Sequence, residues 1–287
     1  DDSKLEIIDE EAFSYSSLQK IIIPSSVSFI GEEAFANCES LQSIEFPEDS
    51  KLAFIGKNIF YRSSIESISI PASVGEIRNG WCTTISKLNH FSISPQNKDF
   101  IVFNDDFIIG KSDKNGDDFD LLIFARRDIE TAIIPSFVKR ICSYSFGQCL
   151  NLKSLEFSED SQIQSIDSNA FDGSSLKRFS IPPSLEELKE NWCNNLNKLN
   201  QIDISPNNKV FSVVNNNKII IGKSKNSDDF DILFFACRDI QHAIIPSSVK
   251  TINSFAFFNC DRLKSVVFQE DSKLNSINQN AFALSSL

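Results

Sequence analysis

Several residue types and sequence patterns are scarce in this chain, and their scarcity limits what the protein can be. The 287 residues include no Met, two His and two Trp. No apolar run approaches the roughly 18 residues that a membrane-spanning helix requires, and no signal-peptide pattern follows Asp1. We therefore expect no membrane insertion by this segment. Since the chain ends at Leu287 within a repeating pattern, we interpret both ends as truncated.

The cysteines do not form a pattern that is typical of disulfides or metal sites. Their number, seven, is odd, and no C-x-x-C pair or neighbouring His accompanies them. Three of them, Cys38, Cys149 and Cys260, occupy one equivalent position in a repeat described below. A buried free thiol behaves as a small apolar group. We expect seven free thiols, no metal site and no cofactor.

The charge pattern argues against a nucleic-acid partner. The net charge is −11, and the Lys and Arg residues do not cluster as phosphate contacts would require. The chain also lacks any N-x-[ST] sequon despite its many Asn residues. This second absence counts against passage through a glycosylating secretory route and leaves a cytoplasmic location open.

No catalytic motif is present. The chain has neither a G-x-S-x-G segment nor a Cys-nucleophile signature, and His90 and His242 have no sequence partners that would complete a catalytic set. The 111-residue register places Gln201 and Thr131 at the positions equivalent to these histidines, so the scaffold does not require His there. We expect no enzymatic activity.

Two segments resemble ligand-binding loops but fail on spacing. Gly110-Lys111-Ser112 and Gly222-Lys223-Ser224 lack the earlier glycine of a phosphate-binding loop. The acidic run from Asp113 to Asp120 lacks the glycine and the final Glu of a calcium loop. We interpret both regions as solvated hairpin tips.

The strongest feature of the sequence is an internal repeat. The segments 25–46, 136–157 and 247–268 are similar and begin 111 residues apart. Each large unit contains smaller units of 22 to 25 residues with an Ala-Phe pair and an L-x-x-I-x-I segment. Such lengths are typical of single coils of a solenoid. Alternating apolar residues in Leu41–Phe46 predict one strand per coil, stacked in parallel.

One coil in each large unit is longer, at 40 residues, and covers 96–135 or 207–246. Each long coil has two β-rich runs separated by Asn-Gly or Asn-Ser, which predicts a β-hairpin. We therefore predict one solenoid over 1–287, with large repeats 25–135 and 136–246 and a partial repeat 247–287. Five prolines should end strands, at Pro24, Pro71, Pro135, Pro182 and Pro246.

These units resemble the BspA-like leucine-rich repeats, also called the Treponema pallidum type. The residues that fit the family pattern are Ser25-Ser26-Val27, Ile30-Gly31, Ala34-Phe35, Cys38, Leu41, Ile44 and Phe46. Trp81-Cys82 and Trp192-Cys193 depart from it, because they replace Ala-Phe. The resemblance implies an α/β repeat fold, a leucine-rich-repeat solenoid with a parallel sheet, short convex turns or helices, and two hairpin-bearing coils.

The resemblance also implies a function, because family members are typically adhesive surface proteins of mucosal bacteria and parasitic protozoa. We therefore expect a non-enzymatic, cell-surface or secreted protein that binds a host-cell, matrix or microbial surface protein. The alternative is an intracellular or receptor-like interaction scaffold.

The ligand site is expected on one continuous face formed by the outward strand positions. The residues assigned to ligand binding there are Glu45, His90, Ser92, Glu156, Arg178, Ser180, Gln201, Asp203 and His242. Lys20, Ser43, Ser67, Ser69, Ser154 and Ser265 share that face. The hairpin tips are the competing surface.

Overall fold

A computed structural model describes residues 3–225 and 227–287. These residues form a solenoid of short β-strands joined by turns, with no helix among them. The chain divides into two compact units. The first contains residues up to Ile129 together with Arg140–Asn151, and the second contains Glu130–Lys139 and Leu152–Leu287.

The strands of the first half of the chain are β1 (Ile7–Ile8), β2 (Lys20–Ile22), β3 (Phe29–Ile30), β4 (Ser43–Glu45), β5 (Phe54–Ile55), β6 (Ser67–Ile70), β7 (Glu76–Ile77), β8 (His90–Ile93), β9 (Phe100–Phe103), β10 (Phe107–Lys111), β11 (Phe119–Ala125), β12 (Thr131–Ile134) and β13 (Arg140–Ile141). Those of the second half are β14 (Ser154–Phe157), β15 (Ser165–Ile166), β16 (Arg178–Ile181), β17 (Glu187–Leu188), β18 (Gln201–Ile204), β19 (Phe211–Val214), β20 (Ile219–Gly222), β21 (Ile232–Ala236), β22 (His242–Ile245), β23 (Thr251–Ile252), β24 (Ser265–Phe268) and β25 (Ser276–Ile277).

The L-x-x-I-x-I segments form three parallel sheets. The first sheet is β2-β4-β6-β8, the second is β12-β14-β16-β18 and the third is β22-β24. The parallel stacking predicted from the alternating residues is confirmed, as is the placement of the prolines, which follow β6, β12, β16 and β22 directly and β2 after one residue. A proline is tolerated there because its missing N–H is not needed beyond the last ladder bond.

Each ordinary coil contributes a second strand, so the prediction of one strand per coil is wrong. The second strands have two residues and pair in parallel, as β1 with β3, β5 with β7, β15 with β17 and β23 with β25. Their inward residues, such as Ile30 and Ile55, are buried. These second strands could not be predicted from the sequence because two residues are too few to show an alternating pattern.

The side opposite the three sheets consists of stacked turns rather than helices. Ala34-Phe35 lies between two residues with left-handed backbone, Glu33 (φ 57°) and Asn37 (φ 56°). The same spacing recurs at Asn191 and Asn195, since Asn adopts this conformation more readily than most residues. The Phe35 N–H donates to the Ile59 carbonyl of the next coil at 3.0 Å. Bonds of this kind supply the backbone partners that a helix would otherwise provide.

The aromatic residues of these turns fill the core. Phe35, Phe146 and Phe257 are completely buried, as the repeat register predicts. Phe35 stacks between Phe13 and Phe60, with ring centroids 5.2 and 6.1 Å away. Neighbouring coils are therefore held together through a column of stacked rings.

The long coils contain three antiparallel strands, not the two predicted. In the first copy β9 pairs with β10 and β10 pairs with β11. The run predicted as one strand is interrupted by a turn in which Asn104 and Asp105 both have positive φ, and adjacent positive-φ residues favour a tight hairpin. The second copy has three such residues, Asn215 to Asn217, which accommodates its extra residue.

A buried asparagine attaches each long coil to the coil before it. The Asn97 side-chain amide donates to the Pro71 and Val74 carbonyls at 2.9 Å, and its oxygen accepts the Asp99 and Phe100 N–H groups. Asn208 makes the equivalent four bonds in the second copy. Each side-chain amide thereby uses both its N–H donors and its oxygen to join two coils.

The positions of Trp81 and Trp192 explain why tryptophan replaces the Ala-Phe pair in these two coils. Each lies in the coil before a long coil, which has no Ala-Phe pair of its own. The Trp81 ring lies 5.2 Å from Phe124 of β11, and the Trp192 ring lies 5.7 Å from Phe235 of β21. The larger indole fills the core volume that the missing turn aromatic leaves.

Candidate functional site: outward faces of the parallel sheets

The first sheet presents a mostly neutral, serine-rich face. Its cross-strand row runs from Lys20 through Ser43 and Ser67 to His90. At the β2 end, the Lys20 ammonium lies 2.6 Å from the Glu45 carboxylate, and both side chains are about half exposed. Small side chains at the centre leave the backbone of β4, β6 and β8 accessible to another molecule.

A shallow groove of about 280 Å³ follows this face. Its polar lining comes from Glu45, Ser67, Ser69, His90 and Ser92. Three of these residues, Glu45, His90 and Ser92, are sequence-predicted site residues, and the structure brings them together across β4 to β8. The groove combines one carboxylate with several hydroxyls and an imidazole, so it can accept and donate hydrogen bonds.

The second sheet carries more charge. Arg178 Nε donates to Asp203 Oδ2 at 2.8 Å, and Gln201 Nε2 donates to the same oxygen at 3.3 Å. Ser180 lies directly opposite Asp203 across the strands, while Glu156 lies opposite Ile133 on β12. Four of the five predicted site residues of this sheet therefore form one polar cluster in which Arg178 is already paired, and Glu156 lies beside Ile133.

The third sheet is short and more apolar. His242 Nδ1 lies 2.9 Å from the Ser265 hydroxyl across β22 and β24. Beside them, Ile244 and Val267 are about half exposed. The Asn215 side chain donates to the Ile244 carbonyl and accepts its N–H, which gives β22 a partner on the side away from β24.

The predicted site residues do not form one continuous sheet. They fall on three separate hydrogen-bonded sheets, and the antiparallel strands of the long coils pair with the second strands β13 and β23 instead of with these sheets. Glu45, His90 and Ser92 belong to the first sheet and His242 to the third, while the rest lie on the second. Seven of the nine predicted positions are exposed, and Ser180 and Asp203 are half-buried. The single continuous face and its role in ligand binding stay predictions.

Sequence reasoning missed an exposed isoleucine that begins each sheet. Ile22, Ile133 and Ile244 have 61%, 63% and 49% of their surface exposed. They are 111 residues apart and precede the buried isoleucine and the proline that end each strand. Their repetition in three copies was the available signal. The isoleucine segment that contains them, however, resembles the continuous apolar run of a buried strand.

The two Gly-Lys-Ser segments have a structural role in the long coils. Ser112 donates its N–H and its hydroxyl to the buried Asp120 carboxylate at 2.9 and 2.8 Å, and Ser224 makes the same contacts to Asp231. Burial opposes the charge of Asp231, but hydrogen bonds from Ser224, Ser227 and Lys250 together outweigh it and hold the pKa of this carboxyl below its usual value. The interpretation of Asp120 as part of a solvated tip is wrong, although Asp113 to Asp118 are exposed.

Two buried arginines that the sequence analysis did not identify lie inside the long coils. Arg127 is 2% exposed, and its guanidinium donates to the carbonyls of Ile85, Ser145 and Tyr144. It also lies 4.1 Å from the Phe124 ring centre. The positive charge of Arg127 is therefore stabilised by carbonyl oxygens and by the face of an aromatic ring. The equivalence of Arg127 and Arg238 in the 111-residue register was the available signal.

The seven cysteines are free and buried. Burial raises the pKa of Cys82 to about 11, although the neighbouring Arg127 charge acts in the opposite direction. Burial likewise raises the pKa of Cys193 to about 12 and that of Cys237 to about 12. These thiols stay protonated at physiological pH, which makes them poor nucleophiles and poor metal ligands.

Within residues 3–225 and 227–287, no group of three or more His, Cys, Asp or Glu side chains is arranged to hold a metal ion. The same residues contain no helix that is long and apolar enough to cross a membrane.

Several solved structures resemble this fold, and two of them are described here. One is a leucine-rich repeat protein from Eubacterium ventriosum, with a TM-score of 0.69 and 21% identity over 98% of this chain and 81% of that chain. The other is the pneumococcal vaccine antigen PcpA, with a TM-score of 0.62 and 22% identity over 93% of this chain and 72% of that chain. At this level of identity, the likeness concerns the fold alone.

No curated protein matches the chain. The family model described as a BspA-type leucine-rich repeat region, however, matches in six copies over residues 6–103, 121–226 and 207–287. These matches cover nearly the whole chain and leave out residues 104–120, which lie inside the first long coil. The chain therefore belongs to the BspA-type leucine-rich-repeat family.

Proposed function

We propose that this chain is a non-enzymatic, protein-binding part of a cell-surface or secreted adhesin, and that its sheet faces contact a host-cell or extracellular-matrix protein. The observation that carries the proposal is the accessible groove on the first sheet, in which three residues selected from the sequence meet. Membership in a repeat family whose solenoids bind proteins supports it.

The chemistry of the faces suits a protein ligand. Protein interfaces combine apolar anchors with polar groups that fix orientation. Ile133 supplies a repeated apolar anchor on the second sheet, and Glu156 and the Arg178–Asp203 pair supply charges beside it. The first sheet offers the smaller, hydroxyl-lined groove. The two faces therefore differ in the surfaces that they can recognise.

The test measures binding of the purified chain to immobilised extracellular-matrix proteins. A first-sheet variant, Ser69→Arg with His90→Ala, fills the groove and removes the imidazole. A second-sheet variant, Arg178→Glu, places two carboxylates in contact. A control variant, Asp117→Asn with Asp118→Asn, changes the first hairpin tip. Circular dichroism confirms that each variant is folded.

We expect at least one sheet variant to weaken binding about tenfold or more, a loss of about 1.4 kcal/mol, while the hairpin-tip control stays within about twofold. Loss of binding in the hairpin-tip control, with both sheet variants unaffected, would move the site to the hairpins. Absence of binding to every matrix protein would contradict the adhesin assignment.

A second candidate function is an intracellular interaction scaffold. Seven free, buried cysteines and the absence of N-x-[ST] sequons favour it, because disulfides and glycans are typical of oxidising secretory compartments. Labelling intact cells with a membrane-impermeant reagent discriminates the two candidates. Labelling of the full-length protein supports the adhesin, and labelling only after lysis supports the scaffold.

A further inference from the structure

A second groove, of about 400 Å³, lies beside the long coil of the second unit, away from the residues assigned to ligand binding. Its volume is in the range of small-ligand sites. Its charged lining residues are Lys177, Lys198, Arg238, Asp239, Asp261 and Arg262. None of them was selected from the sequence.

The groove is cationic, although the chain as a whole is acidic. Lys177, Lys198 and Arg262 are exposed around its rim. One of its two carboxylates, Asp239, is compensated by Lys218, whose ammonium lies 2.8 Å away. Asp261 is the remaining acidic side chain. The groove therefore has a surplus of positive charge, which favours an anionic ligand.

Arg238 supplies a buried donor to this groove. It is 5% exposed, and its Nη1 donates to the Ala236 and Ala256 carbonyls at 3.2 and 3.1 Å. Within the described part of the chain, its Nε and Nη2 donate no hydrogen bond. In the first copy, Arg127 uses both of these nitrogens on backbone carbonyls. Arg238 therefore has guanidinium N–H donors left for a ligand. Their geometry matches a carboxylate or sulfate group.

Three asparagines complete the lining with neutral polar groups. Asn259 Nδ2 donates to Asn197 Oδ1 at 2.8 Å, which fixes the two amides relative to each other. The Asn200 carbonyl accepts the Lys218 ammonium at 2.6 Å. Side-chain amides both donate and accept hydrogen bonds, as vicinal sugar hydroxyls do. Amides beside cations therefore suit a ligand that carries hydroxyls as well as negative charge.

The first copy shows that these side chains are not required by the fold. In the 111-residue register, Glu66 stands at the position of Lys177 and Asn151 at that of Arg262. Lys198 has a lysine counterpart, Lys87. The same coil geometry is therefore built in the first unit with two of the three rim cations absent.

We propose that the groove beside the second long coil binds an acidic carbohydrate, with its carboxylate or sulfate on Arg238 and the rim cations and its hydroxyls on the asparagines. This site differs from the sheet faces proposed to bind protein. Neither proposal depends on the other.

The test uses the complete chain and a heparin-derived tetrasaccharide as the probe, with isothermal titration calorimetry as the readout. The site variant is Lys177→Glu with Arg262→Asn, which installs the first-copy residues and should fold for that reason. The control is Lys51→Glu with Arg62→Asn, which makes the same charge change at exposed positions of the first unit. Circular dichroism and thermal unfolding confirm the fold of both variants.

We expect the site variant to bind at least tenfold more weakly and the control to bind as the parent does. Equal weakening of both variants would show diffuse electrostatic attraction and overturn the proposal, as would failure of the parent to bind an acidic sugar. The first-sheet variant Ser69→Arg with His90→Ala, which lies in the first unit, should leave this binding unchanged, which separates the two sites.

Three further probes define the ligand chemistry. Sialyllactose, which carries only a carboxylate, distinguishes carboxylate from sulfate recognition, and binding of either acidic sugar supports the proposal. A neutral maltotetraose should not bind, and equal affinity for it would contradict a role for the cations. Inorganic sulfate that binds as tightly as the tetrasaccharide would show an ion site only and overturn carbohydrate recognition.

Discussion

The two long coils have the same interior but different surroundings. Both are attached by a buried asparagine, Asn97 or Asn208, and both enclose a buried arginine above a phenylalanine ring. Around the first arginine, backbone carbonyls take up all the guanidinium nitrogens. Around the second, two nitrogens face a cationic groove. The repeat therefore preserves the residues that hold a coil together and varies those at its rim.

The largest expected effect tests the claim of an equivalent interior. Phe146→Ala and Phe257→Ala should each lower the free energy of unfolding by roughly 3 to 5 kcal/mol, because both rings are completely buried. Urea unfolding, followed by the fluorescence of the buried Trp81 and Trp192, measures the loss. A loss below about 1 kcal/mol for either variant would mean that the two interiors are not equivalent.

The two buried arginines should differ in how much they contribute to the free energy of unfolding. Arg127→Met removes the guanidinium bonds to the carbonyls of Ile85, Ser145 and Tyr144 and should cost about 3 kcal/mol. Arg238→Met removes bonds from Nη1 alone and should cost about 1 to 2 kcal/mol. Urea unfolding of both variants measures the gap. Equal losses would contradict the inference that Arg238 is free to bind a ligand.

The smallest expected effect concerns the thiols. Native protein should react negligibly with iodoacetamide at pH 8, and protein unfolded without reductant should show all seven thiols. Reaction of fewer than seven after unfolding would reveal a disulfide.

The same thiols give a pH dependence. Burial raises the pKa of Cys82 to about 11 and that of Cys193 to about 12. Above the ordinary thiol pKa of 9.0, the unfolded chain loses protons that the folded chain keeps. The free energy of unfolding should therefore fall as pH rises from about 9 towards 12. A flat profile over that interval would contradict the burial of these groups.

The sequence was sufficient for the family, the parallel strands and the buried turn aromatics, because each of these recurs in register. Phe35 and its two equivalents show this most clearly. The two-residue strands and the third strand of each long coil were missed, since the turn at Asn104 has no glycine to mark it. Because the third strand was missed, the separation of the parallel strands into three sheets was missed as well.

The candidate sites were harder to predict for a physical reason. Outward positions such as His90 can be assigned from strand alternation, but a groove depends on which strands become neighbours. Arg238 appeared as one more charged residue near an acidic neighbour. Its burial depends on contacts such as those with the Phe235 ring and the Ala256 carbonyl, and this tertiary arrangement has no local sequence signature.

Hydroxyl-radical footprinting of the chain, alone and bound to the matrix protein that it captures, tests the central claim most directly. Outward residues of the sheets are exposed to the reagent, notably Ile22, Ile133 and His90, and so is Lys114 at the first hairpin tip. We expect the sheet residues to be protected on binding and the hairpin tip to remain as reactive as before. Protection confined to the hairpin tip, with all three sheet residues unchanged, would contradict the assignment of the sheet faces as the binding surface.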